Sequence, residues 1–132
     1  MNNEIKELKQ KVKNLKVIYV EDEDDMRMGT EIFLNKFFTN VTIAVDGKEG
    51  LDKFEENNFD VVFTDILMPN MNGLEMVENI KKIESDVFIV TLTASDVEKE
   101  EIEKSVDLYF RKPISYENMF TIMNEIVNKF KL

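Results

Sequence analysis

The chain has 132 residues, 43% of them hydrophobic, with no Cys, no His and a formal net charge of −10 from 27 acidic and 17 basic side chains. That length fits one domain whose core is large enough to fold without a disulfide or structural metal, and the missing Cys and His exclude thiolate sites, His-ligated zinc, Ser-His-Asp triads and His acid–base catalysis. The acidic balance disfavours direct nucleic-acid binding, which needs clustered Lys and Arg, and points to protein partners. No apolar run reaches the roughly 20 residues of a membrane span and the charged stretch 1–16 is no signal peptide, so no membrane association and a cytoplasmic location are expected.

Residues 1–15 read as a helix. Ile5, Leu8, Val12 and Leu15 recur at spacings of three and four and form one apolar seam, with Lys and Glu on the other faces. About two heptads are too few for an independent coiled coil. The seam therefore packs on its own domain, pairs two copies, or belongs to a connection with something upstream. Residues 1–14 are set apart as an N-terminal helical extension, and 15–132 form the main domain.

A repeating pattern follows. Val17, Ile18, Tyr19 and Val20 make a short continuous apolar run, as expected of a strand buried on both faces. Residues 24–38 have helical periodicity through Met26, Met28, Ile32, Phe33 and Phe37, with Asp24 or Asp25 as the N-cap. Residues 41–45 are a second strand, broken by Asp46-Gly47. Residues 48–57 are a helix with Leu51 and Phe54 inward, and 60–64 are a third strand. Pro, Asn and Gly mark residues 68–73 as a loop. A helix at 74–83 carries Leu74, Val77 and Ile80 on one side. A strand at 87–92, a short acidic helix at 96–104, a strand at 107–110 and a last helix at 115–130 complete the chain; Met119, Ile122, Met123, Ile126 and Phe130 of that helix point inward.

Five apolar strands alternating with helices imply a (βα)5 unit, a mostly parallel sheet covered by helices on both faces. Ligands of such sheets sit at the carboxyl ends of the strands. There the sequence places Glu21 and Asp22 after the first strand, Asp65 after the third, Thr93 at the end of the fourth and Lys112 after the fifth. Like charges about 4 Å apart repel by about 4 kcal/mol at an effective dielectric of 20, so three carboxylates together trap protons or bind a cation. All-oxygen ligation suits Mg2+, and Mg2+ with the Lys112 ammonium balances the three charges. Such a pocket can receive a phosphoryl group: Asp65 as nucleophile forming an acyl phosphate, Lys112 and the metal offsetting charge on the transferring oxygens, and Thr93 donating its hydroxyl. Asp22 is the direct metal ligand and Glu21, one carbon longer, acts through water. Singly, each residue also has a bland reading: Glu21 and Asp22 as acids of a helix N-terminal turn, Asp65 as a loop acid, Lys112 as a solvated cation.

The runs VIYVED from residue 17, VVFTDILMPNMNGLEM from 61, TLTAS from 91 and YFRKP from 109 resemble the signatures of response-regulator receiver domains of two-component signalling, the CheY-like family. The likeness covers about residues 15–131. It implies a doubly wound α/β sandwich with a parallel five-stranded sheet in the order 2-1-3-4-5, here with an extra N-terminal helix. It also implies a protein that is a phosphoacceptor rather than an enzyme, catalysing only its own phosphotransfer and dephosphorylation. Asp65 would take the phosphoryl group from a sensor histidine kinase or phosphotransfer protein. Asp22, Glu21, Asp65 and the backbone carbonyl of Leu67 would hold Mg2+. Thr93 and Tyr109 would be the switch pair and Lys112 the phosphoryl partner. Pro113 would follow a cis peptide bond, and Leu67 and Ser95 would flank the phosphoryl group. Apolar Leu67 cannot orient a water, which predicts a phospho-form that is not among the shortest-lived. Glu21 stands where an Asp is commoner.

The signal would leave through residues 96–104, Tyr109 and the last helix, toward a downstream protein or a second copy. A homodimer through that surface or the N-terminal helix is the corresponding oligomeric expectation. Other readings stay beside this one: a receiver-like module that works without phosphorylation, and a receiver excised from a larger signalling protein. Asp22-Glu23-Asp24 also matches the DxD of haloacid-dehalogenase-type phosphatases, but the later strand ends lack the second acidic motif. An EF-hand fails at Arg27, where its loop needs Gly.

Overall fold

The three most continuous apolar runs become the three inner strands. The computed structural model describes residues 3–94 and 99–132. Among them are five parallel strands, β1 (Lys16–Val20), β2 (Asn40–Ala44), β3 (Val61–Thr64), β4 (Phe88–Thr93) and β5 (Leu108–Arg111), in the order β2-β1-β3-β4-β5. β3 and β4 are buried throughout and β1 from its second residue, whereas the edge strands β2 and β5 are mostly half-buried. Both faces of the inner strands are covered, as a crossover-connected sheet requires.

Side chains alternate between two cores. Val17, Tyr19, Val61, Phe63 and Val90 face one layer, which contains helices α1 (Asn3–Val12), α2 (Asp24–Leu34) and α6 (Tyr116–Phe130). Ile18, Val20, Val62 and Ile89 face the other, packed by α3 (Gly47–Glu56) and α4 (Gly73–Ile83). This is the two-residue period of a pleated strand. Helix α5 (Lys99–Ser105) precedes β5; residues 96–98, expected to begin it, lie outside the described residues.

Helix α1 belongs to the first core. Leu8 and Val12 are buried there, and Ile5 and Leu15 pack against it. The backbone N–H and hydroxyl of Thr39 both donate to the Lys13 carbonyl, at 2.9 and 2.8 Å, fixing the turn into β1. The apolar seam thus packs within the chain.

Two local expectations need correction. The N-cap of α2 is Glu23, not Asp24 or Asp25: its carboxylate accepts from the N–H groups of Asp25 and Met26 at 3.2 and 2.7 Å. Glu23 stands at the ordinary N-cap position and bonds the second and third N–H groups of the helix, as a short cap would. The buried residues of α2 are Thr30 and Leu34, while Met28 and Ile32 are 59% and 64% exposed. Two residues along a helix turn the side chain by about 200°, so burying Thr30 sends Met28 and Ile32 outward.

Candidate functional site

Four of the residues picked from the strand ends meet at the carboxyl edge of the sheet. Glu21 and Asp65 extend β1 and β3: Glu21 N–H donates to the Ala44 carbonyl, and Asp65 N–H to the Val20 carbonyl, each at 3.1 Å. From beyond β5, Lys112 Nζ donates to Glu21 Oε1 at 2.8 Å and to Asp65 Oδ2 at 2.9 Å. Carboxylate oxygens of Glu21, Asp22 and Asp65 lie within 4.8 Å of one another.

The lone pairs of these carboxylates are unequally used. Glu21 gives its second oxygen to the Glu23 N–H at 3.2 Å, and Asp65 Oδ1 accepts from the Ile66 N–H at 2.7 Å. Asp22 is exposed, and among the described residues its carboxylate accepts no hydrogen bond. The acid with free oxygens facing water is therefore the one best able to bind a hard cation directly. A divalent ion with oxygen ligands fits three carboxylates that one ammonium leaves over-charged.

Burial sets the protonation chemistry. It pushes the Glu21 carboxyl above its ordinary range, and the hydrogen bonds from Lys112 and the Glu23 N–H pull only partly against it. Burial also works to lower the Lys112 ammonium, but the bonds to Glu21 and Asp65 outweigh it and hold Lys112 above its usual value. The ammonium is therefore a fixed positive charge across the physiological range.

The other candidate residues lie on β4, on β5 and in the segments after β3 and β5. Thr93 ends β4 and is 4% exposed, and its carbonyl accepts from the Lys112 N–H at 2.7 Å. The Lys112–Pro113 peptide is cis. Leu67 exposes 67% of its surface just past Asp65. Tyr109 is half-buried on β5, paired in register with Thr91, with Lys99 Nζ 5.7 Å above its ring. Ser95 lies outside the described residues.

Several supporting groups escaped the sequence reading. Arg27 donates to the Glu21 and Asp22 carbonyls at 3.0 and 3.4 Å and to Asp24 Oδ1 at 2.6 Å, holding the turn that carries both acids. Its only sequence signal is the i,i+3 spacing from Asp24. The loop after Asp65 is held from both sides. Asp46 accepts from the Glu49 N–H and from Asn70 Nδ2, each at 2.8 Å, and these bonds lower its carboxyl below the ordinary range. A Cβ at Gly73 would run into the Asp65 carbonyl, and one at Gly47 into that of Met71. Such close backbone approach is a reason for Gly that spacing alone does not reveal.

The model of the response regulator receiver domain family matches residues 17–124. The chain belongs to the response-regulator receiver family. This receiver is 30% identical over 120 residues to the uncharacterised transcriptional regulatory protein YclJ of Bacillus subtilis, covering 89% of this chain and 52% of that protein. It therefore spans about half the length of the curated relatives it matches. Among solved structures it resembles the N-terminal domain of an uncharacterised protein from Wolinella succinogenes (32% identity, TM-score 0.77, covering 86% of this chain and 94% of that one). It also resembles the response regulator TrrA of Thermotoga maritima, solved in complex with Mg2+ and BeF (27% identity, TM-score 0.75, 85% and 98% covered). No helix among the described residues is long and apolar enough to cross a membrane.

Proposed function

We propose that this receiver is phosphorylated on Asp65 in the presence of Mg2+ by a sensor histidine kinase or phosphotransfer protein, and that it then controls a downstream protein partner. The observation that carries the reading is the bridge of Lys112 between Glu21 and Asp65 beside an uncommitted Asp22.

In the proposed step, an Asp65 carboxylate oxygen attacks the phosphorus of a phosphohistidine. An O–P bond forms, the P–N bond breaks, and the imidazole leaves with the electron pair. Asp22 would hold the metal directly and Glu21 through water, with Asp65 and the Leu67 carbonyl completing the protein ligands. Mg2+ would supply the positive charge that offsets the phosphoryl oxygens. Lys112 already touches Asp65 and needs only to transfer its hydrogen bond to a phosphoryl oxygen. Thr93 would donate its hydroxyl to another. That movement would open space for the Tyr109 ring and change the surface of α5, β5 and α6, a local charge change biasing a two-state face. Partner binding, or pairing of two copies, would use that face; the functional unit would begin near residue 15, with α1 as an added helix, and would act in the cytoplasm. Chemistry would be confined to the protein's own phosphorylation and dephosphorylation.

Incubation with acetyl phosphate, with and without Mg2+, followed by intact-mass measurement of the wild type and Asp65→Asn tests this. A Mg2+-dependent gain of one phosphoryl group, absent in Asp65→Asn, supports it. No gain in a protein that binds Mg2+ and remains folded refutes self-catalysed phosphorylation and favours a phosphorylation-independent module.

A further inference from the structure

On a strongly acidic protein, positive charge gathers at one place far from the carboxylate cluster. Helix α1, the turn after it and the first residue of β1 carry Lys6, Lys9, Lys11, Lys13 and Lys16 against Glu4 and Glu7. The last turn of the helix leads directly into the amino end of β1. The five-residue length of β1 separates that end from the Asp65 edge by about 16 Å.

At that edge Lys9 and Lys13 face Lys36, which lies just past α2, across a cleft of about 200 Å³ that Gln10 and Asn35 also line and Phe37 floors. Two of these ammonium groups sit over rings rather than beside acids. Lys9 Nζ sits 5.7 Å over the Phe37 ring. Lys36 Nζ sits 5.7 Å over Tyr116 and donates to its hydroxyl at 3.3 Å. Among the described residues, no carboxylate comes within 4.0 Å of Lys9, Lys13 or Lys36. Elsewhere Lys48, Lys53, Lys104, Lys112 and Lys129 each have such a partner. Three cations with no carboxylate beside them around one concavity, in a chain whose net charge is −10, leave the acidic complement to come from outside.

We propose that this cleft docks an acidic segment of a partner protein. Its donors are ammonium and amide groups, which suit carboxylates, and its aromatic floor suits the methylenes of Glu. Lys9 and Lys13 are one helical turn apart, about 6 Å along the axis. Carboxylates at alternate positions of an extended chain stand about 7 Å apart, so two of them reach both lysines. A flat anionic membrane would leave the concavity unfilled, and a long nucleic acid would meet the acidic remainder of the surface. None of the residues that line the cleft belongs to the carboxylate cluster.

The test is titration of fluorescent hexaglutamate at low salt into the wild type, Lys9→Gln/Lys13→Gln/Lys36→Gln, and a charge-matched control, Lys48→Gln/Lys82→Gln/Lys104→Gln. Saturable binding weakened at least tenfold in the first triple variant and less than twofold in the control supports docking. Should the first triple variant not fold, Lys13→Gln, whose ammonium touches no ring, replaces it with an expected loss of about threefold. Equal losses in the two triple variants, no saturable binding, or binding of phosphatidylglycerol vesicles or inorganic phosphate in place of the peptide overturns the proposal.

Discussion

Replacing Lys112 by Met removes the one cation from two buried acids while keeping the length of the side chain. The side chains of Glu21, Asp65 and Lys112 are 1%, 9% and 11% exposed. Removing one partner of a buried ion pair costs about 3–5 kcal/mol, and the solvent at the rim of this site places the loss near the lower end, about 3 kcal/mol. With an unfolding entropy of about 2.1 cal/mol/K per residue, a 132-residue chain loses about 11 °C of melting temperature. The deficit is pH-dependent with a definite sign. Burial already raises Glu21 above its ordinary value of 4.5, and Lys112 is the strongest influence holding it down. Without Lys112 the Glu21 carboxyl rises further, so the folded variant binds more protons than its unfolded chain above pH 4.5. Its stability therefore increases as pH falls through that window. Thermal melts at pH 8 and pH 5, with and without MgCl2, should show the deficit largest at pH 8 without Mg2+ and reduced by acid or by the metal. A loss below about 1 kcal/mol at pH 8, or one that grows on acidification, would refute the ion-triad account.

Further outcomes follow from the same geometry. Asp22→Ala should lower Mg2+ affinity at least tenfold by calorimetry while changing stability by no more than about 0.5 kcal/mol, since Asp22 is exposed and among the described residues its carboxylate accepts no hydrogen bond. Gly73→Ala should cost about 1–3 kcal/mol in urea unfolding, because its Cβ would strike the Asp65 carbonyl; Gly29→Ala, with nothing within 4 Å, should instead stabilise by about 0.5–1 kcal/mol. Leu67→Asn should hasten loss of the phosphoryl group in a timed intact-mass assay, and an unchanged lifetime would remove Leu67 from the control of water access. Tyr109→Ala should be phosphorylated normally but bind its partner weakly in a pull-down, and normal binding would remove Tyr109 from the switch.

Strand content and topology were legible because three inner strands are continuous apolar runs and each crossover helix carries its own periodic face. The four charged site residues were legible for a related reason: once strands are placed, whatever follows each strand shares one edge. Side-chain direction was less accessible. Met28 and Ile32 fit a helical period, yet Thr30 and Leu34 are the residues α2 buries, because an amphipathic stripe with apolar residues on several sides does not reveal which side meets the sheet. The cap at Glu23 was hidden among five consecutive acids, where any of three carboxylates satisfies the same rule. Asn70, Gly47 and Gly73 act through close backbone approach or a bond between distant segments, which no local pattern encodes, and Arg27 offers only its i,i+3 spacing from Asp24.

The distribution of hydrogen bonds explains how one site can be stable at rest and still responsive. Glu21 commits both oxygens, one to Lys112 and one to the Glu23 N–H, and Asp65 commits one to its own loop and one to Lys112. Lys112 is further tied through its backbone N–H to the carbonyl of Thr93. On the proposed reading, a phosphoryl group on Asp65 competes with Glu21 for the Lys112 ammonium without any need to move the sheet. The hydrogen bond between Lys112 and Thr93 then sets the ends of β4 and β5 under the same influence. β5 carries Tyr109 two residues before Arg111, the register partner of Thr93. A charge change at one carboxylate is thereby delivered to an edge strand that is only half-buried, where a small displacement meets less packing resistance than it would in β1, β3 or β4.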